Sequence, residues 1–76
     1  MLRLTVRSSV IASIGYSRSD ETLEVQFHNG RVYQYKGVPP AQHAALMAAE
    51  SIGRYFNENI RDRYAAKELP RASNRS

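Results

Sequence analysis

Hydrophobic and polar residues alternate along the first half of the chain, and a period of two is typical of β-strands. The alternating segments are residues 2–6, 10–16, 22–28 and 31–36. Asn29-Gly30 separates the last two, and this dipeptide favours a two-residue hairpin turn because both central positions of a type I′ turn need a positive φ. The pattern predicts three antiparallel strands, with the N-terminal segment as a candidate fourth.

The second half of the chain has the spacing of helices. Residues 41–49 are rich in alanine and other good helix formers, and Pro40 suits the first turn of such a helix. Ser51 is a candidate N-cap for a second helix, in which a hydrophobic residue recurs every four positions. The recurring residues are Ile52, Phe56, Ile60 and Tyr64. This stripe predicts a second helix that ends before Pro70.

These elements predict an α+β fold, in which a small antiparallel β-meander is followed by two α-helices packed on one face. The meander has three strands, or four if residues 2–6 join it. Residues 1–70 are expected to form a single domain, and the polar residues 71–76 a disordered tail. So small a domain needs most of its large side chains for its core. Any one aromatic residue is therefore more often structural than functional.

The predicted two-residue turn sets the register of the hairpin and places Gln26 opposite Tyr33. Because directly opposed residues share a face, this register predicts a hydrophobic face under the helices and an open polar face. The open face then carries Tyr33 and Tyr35 side by side, next to Arg31. Rings beside an arginine are typical of surfaces that stack the bases of single-stranded nucleic acids. A tyrosine pair can equally serve only to pack a sheet.

The charge of the chain favours an anionic partner. Its 76 residues include 11 lysines and arginines against 7 acidic residues, a net charge of +4. Nine of the basic residues are arginines, which pair with phosphate in a bidentate way and also stack on rings. The same charge can also serve only solubility. No run of residues approaches the roughly 18 hydrophobic residues of a membrane helix. We expect a cytoplasmic domain with no membrane partner.

The sequence offers little for catalysis or metal binding. There is no cysteine, so disulfides and thiolate zinc sites are excluded. His28 and His43 lie on different predicted elements, and no carboxylate spacing completes a metal site with them. Ser8 and Ser9 would need a base beside them to act as nucleophiles. We therefore expect no enzymatic activity, no metal and no cofactor.

The start of the second predicted helix is a candidate phosphate site. A helix N-terminus offers free N–H groups, Gly53 would allow close approach, and Arg54 lies beside them. The same segment also fits a structural role, with Ser51 as the cap and Gly53 as a point of tight packing. Arg61, on the polar side of the same helix, is another candidate contact to phosphates.

Several short motifs follow one another in a distinctive order. They are Ser8-Ser9-Val10-Ile11, Ile14-Gly15-Tyr16, Leu23-Glu24-Val25-Gln26-Phe27, Gly30-Arg31-Val32-Tyr33-Gln34-Tyr35, Val38-Pro39, Ala49-Glu50-Ser51-Ile52-Gly53-Arg54-Tyr55-Phe56-Asn57, Ile60-Arg61 and Tyr64. Their combination resembles the KTSC family, a module found at the C-terminus of some lysyl-tRNA synthetases and in small stand-alone bacterial and phage proteins. The resemblance implies a small antiparallel sheet followed by helices. The attachment to a tRNA-charging enzyme suggests RNA binding.

Two functions remain open. The first is an accessory nucleic-acid-binding module, most simply for RNA, in which bases stack on tyrosines and basic side chains meet phosphates. Its predicted contacts are Arg31, Tyr33, Tyr35, Lys36, Arg54 and Arg61. The second is a small protein-interaction or regulatory module that docks on a larger machine of transcription or translation, with an acidic protein as partner. Self-association through an exposed sheet edge is a lesser alternative.

Overall fold

The computed structural model describes residues 2–70. The elements, in chain order, are β1 (Arg3–Thr5), β2 (Ile11–Ser17), β3 (Thr22–Phe27), β4 (Val32–Lys36), α1 (Pro40–Ala48), α2 (Ile52–Asn59) and β5 (Ala65–Glu68). All five strands form one antiparallel sheet in the order β1-β2-β3-β4-β5. The predicted tail, residues 71–76, lies outside the described residues.

The predicted α+β fold is confirmed, but the sheet is larger than predicted. The N-terminal segment does join it, as β1. The predicted extension of the second helix towards Pro70 is wrong, since the chain leaves the helix at Ile60, where φ is −123°. The N–H groups of Ile60 and Arg61 both donate to the carbonyl of Phe56 and close the last turn. Residues 65–68 then pair with β4, so backbone hydrogen bonds of the sheet override their preference for helix.

The β3–β4 hairpin differs from the predicted one by a single residue. Its loop comprises residues 28–30, since the N–H of Phe27 donates to the carbonyl of Arg31 at 2.9 Å. The N–H of Gly30 donates back to the carbonyl of Phe27 at 2.9 Å, and Gly30 has a φ of +91°. A glycine with positive φ at the end of such a loop produces a bulge instead of the tighter two-residue turn.

This shift reverses the predicted faces of β4. Val25 pairs with Tyr33, and Leu23 pairs with Tyr35, so both tyrosines share the face of the hydrophobic β3 residues. The prediction that Tyr33 and Tyr35 stand on the open polar face is therefore wrong. Because side chains alternate along a strand, a slip of one residue moves each of them to the other face. Tyr35 is consequently only 4% exposed.

The hydrophobic core lies between this face of the sheet and the two helices. Its buried side chains are Ile11, Ile14, Leu23, Val25, Tyr35, Val38, Leu46, Phe56 and Ile60. Phe56 of α2 makes edge-to-face contacts with two rings of the sheet, Phe27 at 5.6 Å and Tyr35 at 5.3 Å between centroids. These contacts orient the C-terminal half of α2 relative to the hairpin.

The opposite face of the sheet carries polar side chains. Glu24 lies near its centre and accepts hydrogen bonds from Arg3 at 2.8 Å and Gln34 at 3.0 Å. Lys36 belongs to this face, where its ammonium is 3.4 Å from the hydroxyl of Thr22. Lys36 is thus separated from the two tyrosines by the thickness of the sheet.

Helix α1 rests on the sheet through a stacked pair of rings. The rings of His43 and Tyr16 are 4.4 Å apart and nearly parallel, at 9°. The hydroxyl of Tyr16 donates to the carbonyl of Val38 at 2.5 Å, just before the helix. Partial burial lowers the pKa of His43 below its usual 6.5, because the charged imidazolium loses hydration.

The stability of the domain is expected to fall as the pH drops below 6.5, because the unfolded chain then binds a proton at His43 that the folded state resists. The loss continues down to the folded-state pKa and is absent above 6.5. Urea unfolding at about pH 7.5 and about pH 5.5 measures this loss of stability. The variant His43→Gln should lack the part of the loss that is due to His43. A His28→Gln variant that abolished the same part would assign it to the other histidine.

Candidate functional site

A cavity of about 480 Å³ opens where the β3–β4 hairpin meets the end of α2 and β5. Four aromatic residues line it: Phe27, Tyr33, Tyr35 and Phe56. Its polar lining includes Arg31 just after the hairpin loop, Asn57 from α2 and Arg61 from the turn after α2. We call this cavity the aromatic cleft.

The rings of the aromatic cleft hold one another in place. Tyr33 and Tyr35 are two residues apart on β4, and their ring centroids are 6.5 Å apart. Phe27 meets Tyr33 edge-on at 5.7 Å, as Phe56 meets Tyr35. Edge-to-face contacts of this kind add about 0.5–1.5 kcal/mol each beyond the area they bury. The cleft is therefore formed by packed side chains, with part of Tyr33 left exposed at its mouth.

Both arginines of the cleft are available to an anion. Arg31 lies 3.9 Å from Glu68, and Arg61 lies 3.8 Å from Asp62. All four side chains are well exposed, so these loose ion pairs contribute little to stability. A phosphate can therefore replace either carboxylate at small cost and gain bidentate hydrogen bonds from guanidinium.

The hydroxyl of Tyr35 differs from the hydroxyls of the other tyrosines. Those of Tyr16, Tyr33 and Tyr55 donate to Val38, Glu68 and Gln42, and that of Tyr64 accepts from Gln42. Within residues 2–70, no group is hydrogen-bonded to the hydroxyl of Tyr35, although this side chain is almost completely buried and lines the cleft. This hydroxyl is therefore free to bond water or a ligand in the cleft.

The same burial affects how Tyr35 ionises. Loss of hydration, reinforced by the neighbouring Tyr33, raises the pKa of Tyr35 to about 12, against a smaller opposing effect of Arg61. The hydroxyl is thus protonated at neutral pH and can both donate and accept a hydrogen bond. A ligand with a hydrogen-bonding edge would satisfy it.

The structure brings most of the predicted contact residues together, for a reason other than the predicted one. Those in the aromatic cleft are Arg31, Tyr33, Tyr35 and Arg61. They meet at a part of the hydrophobic face that the helices leave open, and not on the polar face. Lys36 lies on the other side of the sheet. Arg54 lies outside the cleft, on the exposed side of α2, and pairs with Glu58 at 3.1 Å.

The N-terminus of α2 shows the structural roles that its sequence suggested. The hydroxyl of Ser51 accepts the N–H of Arg54 at 3.3 Å and so caps the helix. A Cβ on Gly53 would lie 3.2 Å from the hydroxyl of Ser8, so the helix packs tightly on the loop before β2. Binding of phosphate at this end remains a prediction.

The predicted contacts did not include Phe27, Phe56 or Asn57, which also line the cleft. The alternation along residues 22–28 and the stripe of the second helix predict hydrophobic packing for Phe27 and Phe56. The side chain of Asn57 is exposed, and no hydrogen bond joins it to another group in the described part of the chain. The available signal was the spacing of four positions between Asn57 and the predicted contact Arg61, since residues four apart share one face of a helix.

The cleft offers stacking, hydrogen bonding and the pairing of arginine with anions. Among residues 2–70, no three side chains of histidine or acidic residues are grouped so that they could hold a metal ion. No helix in this part of the chain has the length and hydrophobicity needed to cross a membrane.

The sequence profile of the KTSC domain family matches residues 7–64, which is most of the chain. The chain belongs to the KTSC domain family. Of the cleft residues, only Ala66 lies beyond the matched span of the KTSC domain. The crystal structure of a KTSC domain protein from Yersinia pestis is similar over 91% of this chain and 97% of its own, with a TM-score of 0.86 and 40% identity.

Other proteins similar to this KTSC domain are of two sizes. An uncharacterised protein of Stutzerimonas stutzeri is 43% identical over 58 residues, which cover 76% of this chain and 82% of that protein. A lysine–tRNA ligase of Nostoc punctiforme is 35% identical over 66 residues, which cover 87% of this chain but only 12% of the ligase. The KTSC domain thus occurs in proteins of about its own size and as a small part of a long ligase.

Proposed function

We propose that this KTSC domain is a cytoplasmic, accessory RNA-binding module without catalytic activity, which holds an unpaired nucleotide in the aromatic cleft. The observation that carries the proposal is the hydroxyl of Tyr35: it has no partner within residues 2–70, and its side chain lines a cavity that Arg31 and Arg61 also line. A cavity of this volume, about 480 Å³, falls within the range of small-ligand pockets.

Each part of a nucleotide has a matching group in the cleft. The base stacks on the exposed part of Tyr33, because aromatic rings bind any base by stacking. The edge of the base forms hydrogen bonds with the hydroxyl of Tyr35 and the side-chain amide of Asn57, which offer both donors and acceptors. Arg31 and Arg61 pair with the flanking phosphates. The proposed module therefore binds one base in the aromatic cleft and does not stack several bases on an open face of the sheet.

Two further observations support RNA as the ligand. A relative that contains the same domain is named as a lysine–tRNA ligase, an enzyme that acts on an RNA. The chain also carries a net charge of +4, which favours association with a polyanion.

An NMR titration of the domain with a mixed-sequence single-stranded RNA tests the proposal. We expect amide shifts at Arg31, Tyr33, Tyr35, Asn57 and Arg61. Neutralising two phosphates gives a slope of roughly −1.4 for log K against log salt. Shifts confined to the polar face around Lys36, or no shifts even at low salt, would contradict the cleft as an RNA site.

Removal of one hydroxyl gives a second test. Tyr35→Phe is expected to weaken RNA binding about 2- to 10-fold, because the base loses one hydrogen bond. The same change should leave the free energy of unfolding unchanged or raise it, since the described residues offer that hydroxyl no partner. Tyr16→Phe is the matched control: it removes a satisfied hydroxyl, and should lower stability without affecting RNA binding. Fluorescence anisotropy and urea unfolding measure the two effects.

A further inference from the structure

A second cavity, of about 740 Å³, lies at the opposite edge of the sheet, between β1, β2 and α1. Leu2, Leu4, Tyr16, His43 and Met47 form much of its lining, which is mostly hydrophobic. We call it the N-terminal groove. Leu2 is 84% exposed and Leu4 is 59% exposed, although both are large hydrophobic side chains.

Among residues 2–70, no strand pairs with the outer edge of β1, which lies beside this groove. The N–H of Val6 donates to the carbonyl of Ala12 in β2, and Leu4 of β1 is opposite Ile14 of β2. Because hydrogen-bonded pairs alternate along antiparallel strands, the N–H and carbonyl groups of Arg3 and Thr5 point away from the sheet. Such groups are a template for a further strand, whose alternate side chains would lie over the groove.

The charged residues beside this edge determine which kind of strand it can bind. Arg18 lines the groove together with Leu2, which precedes β1. Arg7 lies two residues after the C-terminal end of β1. Neither arginine forms an ion pair within residues 2–70, and both are exposed. Pairing of β1 with β1 of a second copy would bring like charges together, which is unfavourable. A strand with acidic residues is complementary to both arginines.

We propose that β1 and the N-terminal groove bind an extended segment of a partner protein in which hydrophobic and acidic residues alternate. The segment pairs with Arg3 and Thr5 as a sixth strand, its hydrophobic side chains cover Leu2, Leu4 and Met47, and its carboxylates meet Arg7 and Arg18. This mode of recognition uses backbone hydrogen bonds for affinity and side-chain pockets for selectivity. It involves the edge of the sheet opposite the aromatic cleft, so it does not depend on RNA binding.

The probe for this site is a short synthetic peptide in which valine alternates with glutamate, compared with one in which valine alternates with lysine. We expect amide shifts at Arg3 and Thr5 with the glutamate peptide alone, and none in the aromatic cleft. Equal shifts with both peptides, no shifts, or a concentration-dependent dimer formed through β1 would overturn the proposal. The last outcome would make a second copy the occupant.

Two substitutions test the geometry of the site. Thr5→Pro removes one outward N–H without breaking the pairing of β1 with β2, and should weaken peptide binding about 2- to 10-fold, whereas Thr5→Ala should not. Leu4→Glu changes an exposed side chain and should lower affinity at least as much, by repelling the acidic peptide. Wild-type affinity in both Thr5→Pro and Leu4→Glu would overturn the proposal.

Discussion

The double variant Arg31→Gln/Arg61→Gln is expected to bind single-stranded RNA about 100-fold more weakly than the wild type. Each arginine supplies a charge-assisted hydrogen bond to a phosphate, worth roughly 1.5–3 kcal/mol, so the lower end of two such losses, about 3 kcal/mol, already corresponds to roughly 100-fold. Both side chains line the aromatic cleft. Fluorescence anisotropy at fixed salt measures the affinities, and circular dichroism verifies that the variant is folded.

The control for this variant is a second double variant with the same net charge as the first. Arg18→Gln/Arg63→Gln removes two arginines that lie outside the aromatic cleft, one of them in the same turn as Arg61. It should reduce RNA affinity only slightly, through the weaker overall field. Equal losses of RNA affinity in the two double variants would mean that the net charge alone attracts the RNA and that the aromatic cleft does not bind it.

Phe56→Ala is expected to lower the free energy of unfolding by about 3–5 kcal/mol. Phe56 is 1% exposed and makes edge-to-face contacts with Phe27 and Tyr35, so its removal leaves a cavity between α2 and the sheet. A domain of this size has roughly 4–11 kcal/mol of stability in total. The change therefore removes a large share of it, and urea unfolding measures the loss.

Phe56→Leu provides the comparison for this second prediction. It retains most of the buried hydrophobic area and should cost less than half as much, so the variant remains folded and measurable. Because Phe56 also lines the aromatic cleft, Phe56→Leu should weaken RNA binding as well. An alanine variant as stable as the wild type would show that Phe56 does not hold α2 on the sheet.

The two proposed surfaces lie at opposite edges of one sheet. The aromatic cleft is formed beside β4 and β5, and the N-terminal groove beside β1. An RNA and a partner segment can therefore be bound at the same time. This arrangement suits an accessory module that connects an RNA to a larger protein.

The hairpin register could have been obtained from the sequence of β4. In this strand, tyrosine alternates with Val32, Gln34 and Lys36. A lysine and a glutamine are poorer core residues than two rings, so the alternation itself favours the face that Tyr33 and Tyr35 occupy. Asn29-Gly30 was misleading because glycine with a positive φ suits both the two-residue turn and the longer loop.

The strand character of residues 65–68 had no comparable signal. Ala65, Ala66, Lys67 and Glu68 all favour helix in isolation, and all four are exposed in the sheet. They form a strand because the chain, after α2 ends, passes the free edge of β4, whose backbone groups need partners. This contact is distant in sequence, and no local pattern encodes it.

Periodicity, local hydrogen bonds and the order of the motifs were enough to predict the α+β class, the meander, the helix beginning at Pro40, the cap at Ser51 and the family. The closing of the sheet by β5, and the meeting of four predicted contact residues in one cleft, became apparent only in the folded structure. Those features follow from competition between whole surfaces for burial and from backbone groups that pair across the fold.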